Sequence, residues 1–180
     1  CFMLEEEQNL FSGDNVLDLI VGTGPGVAPE VVAYSGTDGG QGPFSSELAR
    51  FTPFDPGFRG GVSVAGADVD GNPSTDNIIV GSGPGTESRV TVFSSALPKV
   101  GDTPETFSTF TPYPGSRSGV TLATGTVDIG TGRPSIVTAP GPGEPAQVKT
   151  FRYDLYTPTE AAKARGATES QGADFRSTWA

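Results

Sequence analysis

The chain has 180 residues, a net charge of −10, 26 glycines, 16 prolines and no histidine. Without an imidazole there is no Ser-His-Asp triad and no His-bearing catalytic zinc site. The eleven lysines and arginines are scattered singly, which leaves no basic stripe for nucleic acid. Cys1 is the one cysteine and cannot close an internal disulfide; a fragment boundary, a lipid-carrying terminus and a chance start all stay open for it. The apolar runs are only a few residues long, far below the ~20 that a membrane-spanning helix needs, so a soluble chain without a membrane span is expected. Glycine and proline fall between short runs of Val, Ile, Phe and Thr, which is how strands separated by turns look.

In chain order, Cys1–Leu4 is the candidate first strand. It is followed by Ser12, Asp14 and Asp18 just ahead of an apolar run. A shift of 59 lays Asp18-Leu-Ile-Val-Gly-Thr-Gly-Pro-Gly26 on Asn77-Ile-Ile-Val-Gly-Ser-Gly-Pro-Gly85, and Glu30–Ser35 on Arg89–Ser94. A further shift of 58 brings Ser135–Gly143 and Gln147–Phe151 onto the same template. Arg50–Phe54 answers Thr109–Tyr113, and Gly61–Ala65 answers Gly119–Ala123. A self-similar period of about this length marks a repeat architecture, with units at 1–50, 51–109 and 110–155 and a non-repeat tail at 156–180.

The middle unit gives four strand candidates: Gly61–Ala67, Asn77–Gly83, Ser88–Ser95 and Glu105–Tyr113. Alternation in Arg89–Phe93 predicts a strand with one buried face, and the unbroken apolar run Ile78–Val80 one buried on both. Gly81 and Gly83 would let backbones approach closely. The recurring Gly-Pro-Gly lacks the Gly-Lys-Ser/Thr ending of a phosphate loop and predicts a turn. Phe51, Phe54, Phe107, Phe110 and Tyr113, recurring with the unit, are expected to fill the space between sheets. In the tail, Thr159–Arg165 has helix-forming composition and Phe175–Trp179 strand composition.

The segment with the most chemistry is Asp68-Val-Asp70-Gly-Asn72-Pro-Ser74-Thr-Asp76. Oxygen-bearing side chains at alternating positions, with a glycine to turn the loop, suit a hard cation such as calcium. An Asx-rich turn would use the same residues for its own geometry, so both readings stay open.

With the apolar run that follows, this unit resembles the FG-GAP or VCBS repeat of integrin-like propellers and secreted bacterial proteins. The likeness covers roughly residues 9 to 154. It implies an all-β fold of propeller-type blades, each of four antiparallel strands, here about three repeats in an incomplete ring. It also implies calcium as the bound ion, held in the middle unit by Asp68, Asp70, Asn72, Ser74 and Asp76 and more weakly in the first by Ser12, Asp14 and Asp18. The third unit keeps Thr126 and Asp128 but has Gly130 and Pro134 where later ligands belong, and should stay empty. The function so implied is a non-catalytic extracellular or cell-surface module for structure, adhesion or protein interaction. Its partners would be other chains or copies of itself completing the stack, with glycans as a further partner class. A sugar-binding lectin and a calcium-dependent hydrolase are the rivals.

Overall fold

The structure, a computed structural model, describes residues 2–3, 16–37, 43–72, 74–94, 103–127, 133–153 and 175–177. The described elements are all strands: β1 (Phe2–Met3), β2 (Leu19–Gly22), β3 (Val31–Tyr34), β4 (Glu47–Phe51), β5 (Val62–Ala67), β6 (Asn77–Ser82), β7 (Val90–Phe93), β8 (Thr106–Phe110), β9 (Val120–Gly125), β10 (Ser135–Pro140), β11 (Lys149–Tyr153) and β12 (Phe175–Ser177). They form three antiparallel sheets in which strands sit beside their sequence neighbours: β1-β2-β3-β4, β5-β6-β7-β8 and β9-β10-β11-β12. The middle sheet has four full strands, whereas the outer two have three plus a short one at the rim, β1 or β12. No ring is closed among the described residues.

Each expected strand of the middle unit is present, shortened at its ends by the Gly, Pro and Ser residues that bound it. The candidate at Cys1–Leu4 appears as β1 and pairs with β2, Phe2 opposite Val21. The candidate at Phe175–Trp179 appears as β12, pairing with β11 through Arg152 and Arg176, so the tail completes the third sheet. Thr159–Arg165 lies outside the described residues. Phe51 and Phe110, with which the second and third units were expected to begin, belong to the sheets that precede them, which puts the breaks between sheets at Thr52–Gly61 and Thr111–Gly119.

The sheets stack face to face, and the repeat shows in what each face touches. Ile20, Val31, Ala33, Ala49 and Phe51 of sheet one meet Val64, Ile78, Val80 and Phe93 of sheet two. On the far side of sheet two, Ala65, Ile79, Val90 and Val92 meet Val120, Leu122, Ile136 and Phe151 of sheet three. Leu122, Ile136 and Phe151 are the repeat counterparts of Val64, Ile78 and Phe93, so each sheet presents one face backward and the other forward by the same rule.

That arrangement corrects the reading of Arg89–Phe93. β7 is buried on both faces, Thr91 included at 6% exposure, as its counterpart Val32 is in sheet one. Thr91 tolerates the burial because its Oγ1 shares a 2.8 Å hydrogen bond with Thr109 Oγ1 on β8. The double burial of Ile78–Val80 is as expected, each being 0% exposed.

The Gly-Pro-Gly segments are turns that also tie one sheet to the next. Gly26, Gly85 and Gly143 have φ of 100°, 106° and 96°, the left-handed conformation that a turn with proline followed by glycine requires. Gly26 N–H donates to Arg59 O at 2.8 Å, and Gly85 N–H to the corresponding Arg117 O at 3.0 Å. Within the first two hairpins a hydroxyl closes the loop. Thr23 Oγ1 accepts from Glu30 N and donates to Ala28 O, and Ser82 Oγ accepts from Arg89 N and donates to Glu87 O.

Candidate metal centre

The loop Asp68–Asp76 joins β5 to β6 and is built on side-chain-to-backbone hydrogen bonds. Gly71 N–H donates to Asp68 Oδ1 at 2.6 Å, Asn72 N–H to Asp70 Oδ1 at 2.9 Å, and Ser74 N–H to Asn72 Oδ1 at 3.2 Å. Gly71 makes the sharp bend at φ 85°. This is a run of Asx turns, the geometry in which a short acidic side chain caps the amide two or three residues on.

The same turns hold two carboxylates side by side. Burial pushes the Asp68 carboxyl above its ordinary value, the Gly71 amide pulls it back, and the adjacent Asp70 carboxylate pushes it up again. Asp76 is buried, at 8% exposure. It does not join the other two as a third acid: no group of three or more His, Cys, Asp or Glu side chains is arranged to hold a metal ion among the described residues. From the third unit, the Arg133 guanidinium lies 3.8 Å from where a side chain at Gly71 would begin.

At the centre of the loop stands Asn77, which the sequence reading used only as the start of a strand. Its Oδ1 accepts from Val69 N and Asp70 N, both at 3.1 Å, and its Nδ2 donates to Asp70 Oδ2 and to Phe93 O, both at 3.0 Å. One fully buried amide therefore fixes the loop, holds Asp70 and ties both to the end of β7. The signal was present in the repeat: the same register position is Asp18 in the first unit and Ser135 in the third, each 2% exposed. Asp18 Oδ1 accepts from Gly36 N at 2.9 Å. Ser12 and Asp14, expected beside it, lie outside the described residues, as do Asp128 and Gly130.

As a cation site the middle loop fits in part. Asp68 and Asp70 supply two neighbouring carboxylates, and Asn72 and Ser74 add neutral oxygens on the same loop. Calcium takes six to eight oxygens, so water and backbone carbonyls would have to complete the shell. Such a donor set suits a weak site of the extracellular kind.

The recurring aromatics lie between sheets. Phe51 meets Phe93 edge-on at 4.8 Å in the first core, and Phe110 meets Phe151 at 4.6 Å in the second. Tyr113 is buried at 6% exposure, its hydroxyl donating to Thr138 O at 2.7 Å. Phe54, its counterpart, is half-buried against the first core and Phe58. An open groove runs past Tyr113, Ser116, Glu144, Gln147 and Lys149. There the ammonium of Lys149 sits over the Tyr113 ring and donates to Pro112 O.

Comparison with protein-family models, with curated proteins and with solved structures gives no match to this chain.

Proposed function

We propose that the chain is a structural and protein-interaction module of the extracellular space, a segment of a calcium-binding β-propeller of the FG-GAP or VCBS kind, without catalytic activity. The observation that carries this is the stack itself. Three antiparallel meanders stack through two interfaces of the same pattern, and the first two share the same Gly-Pro-Gly link to the next sheet. Such a body holds loops in fixed places and offers flat end faces. The loop Asp68–Asp76, with its paired carboxylates, is where calcium would bind and pin the turn between β5 and β6.

The test is thermal unfolding with calcium and with chelator. Extracellular modules hold calcium with dissociation constants of about 10⁻⁴–10⁻³ M, so roughly 1 mM calcium adds about 0.4–1.4 kcal/mol. In a domain of this size that raises Tm by about 1–5 °C. Asp70→Ala should abolish the middle loop's shift, and Asp128→Ala should leave it intact. A wild-type Tm indifferent to calcium would reduce Asp68–Asp76 to a turn.

A further inference from the structure

The two ends of the stack carry opposite halves of one interface. Three repeat positions that face forward show it. Val31 of sheet one and Val90 of sheet two are both 0% exposed beneath the following sheet, whereas their counterpart Val148 in sheet three is 64% exposed. Ile20 and Ile79 are 5% and 0% exposed, whereas Val137 at the same place is half-buried. Ala65 is 2% exposed and its counterpart Ala123 is half-buried.

Backward-facing positions show the mirror pattern, except Val32, which is as buried at 6% as its counterpart Thr91. Ile78 and Ile136 are both 0% exposed against the preceding sheet, whereas Leu19 of sheet one is half-buried. Val80 and Thr138 are 0% and 1% exposed, and Val21 is half-buried. Phe93 and Phe151 are 2% and 7% exposed, and Tyr34 is half-buried.

We infer that a second copy of this chain seats the forward face of its sheet three, with Val137, Val148 and Ala123, on the backward face of sheet one, with Leu19, Val21 and Tyr34. The occupant follows from the molecule's own two internal interfaces, in which a forward face of this pattern meets a backward face of this pattern. The contact is head-to-tail, since the two surfaces differ, and it closes a ring or extends a row according to the rotation between copies. Arg50, bridged to Glu30 and Glu47, stands at the rim of the same backward face and already has its charge paired. The inference rests on the stack described above and not on calcium, so the melting experiment and this one can fail separately.

One residue sets how closely the copies approach. A Cβ at Gly22 would come within 2.7 Å of Val62 Cγ2, and one at Gly81 within 3.1 Å of Leu122 Cγ, so glycine is what lets the next sheet close down. Sheet three has Ala139 at that position. A copy docked in the internal geometry meets this methyl, which weakens the contact relative to the two within the chain.

Sedimentation velocity over a range of concentrations tests the contact. Wild type should associate reversibly. Val137→Asp, which destroys the forward face, and Leu19→Asp, which destroys the backward face, should each be monomeric. An equimolar mixture of the two should form a dimer and nothing larger, because each variant retains the half the other lacks. Ala139→Gly should tighten association at least about fivefold, the low end of an overpacking penalty. Circular dichroism checks folding. If either variant fails it, Val148→Asp on the forward face or Tyr34→Asp on the backward face replaces it. A wild-type monomer at every concentration, association that survives both substitutions, or a mixture that stays monomeric would overturn the inference.

Discussion

At Asn77 a neutral amide stands where the first unit has the carboxylate of Asp18, and the difference has a sign. Its Nδ2 donates to Asp70 Oδ2 and to Phe93 O, so two acceptors point at one nitrogen. Asn77→Asp would turn a buried oxygen toward both. An unpaired buried charge costs about 3–5 kcal/mol, so in chelator the variant should melt well below wild type. Calcium would satisfy all three oxygens, and the shift on adding it should exceed that of wild type. An Asn77→Asp melt unmoved by calcium would count against a cation at this loop. Asp68 offers a finer probe. Its carboxyl is raised above the ordinary value, so the stability it contributes is full below the unfolded pKa and is lost as pH rises through the folded one. At neutral pH the charged form is therefore unfavourable, and Asp68→Asn in chelator should raise Tm. That gain should shrink to nothing as pH falls through the carboxylate range; a gain independent of pH would assign it to something other than charge.

At the scale of the strand and turn, glycine decides how close the sheets come. A Cβ at Gly81 would sit 2.5 Å from Ser63 Oγ and 3.1 Å from Leu122 Cγ, and Ser63 Oγ is already committed to Val120 O at 2.6 Å. Gly81→Ala must push sheet three away or break that link, at a cost of about 1–3 kcal/mol in denaturant unfolding. Gly125→Ala, with nothing within 4 Å of its added methyl, should change stability by less than about 0.5 kcal/mol. Equal effects at the two sites would mean that the sheets slide freely. Strand positions were legible because Gly, Pro, Asp, Asn and Ser punctuate the chain between the β-branched runs. The face of Thr91 was not, since its burial involves a partner on another strand, Thr109 on β8, and alternation sees only the strand itself. Nor was the role of Thr23 and Ser82 as loop-closing hydroxyls, although their register ahead of Gly-Pro-Gly repeats. The third unit has Pro140 there, which brings no hydroxyl. In the candidate loop the acids were legible and the centre was not, because Asn77 looked like the first residue of an apolar strand.

For the whole molecule, stability should follow the number of neighbours each sheet has. In a linear stack each unit contributes its own folding term plus one term for every interface it makes. Sheet two makes two interfaces, and sheets one and three make one each among the described residues. Opening sheet two breaks both, whereas an end sheet can detach by giving up a single interface. Native-state hydrogen exchange at low protein concentration should therefore find the slowest amides in β6 and β7. Those of β2 and β10 should exchange at least about tenfold faster through local opening. Identical protection in all three sheets would show one cooperative unit in place of a stack of separable ones. The same measurement at high concentration separates internal from external contacts. If copies seat on the end faces, β2 and β10 gain the interface they lack and their exchange slows toward that of the middle sheet. β6, covered on both sides already, changes little when end faces are occupied, because its opening is limited by contacts within the chain. A concentration effect confined to the outer sheets is what head-to-tail contact requires, and equal slowing at β6 would point to association through some other surface.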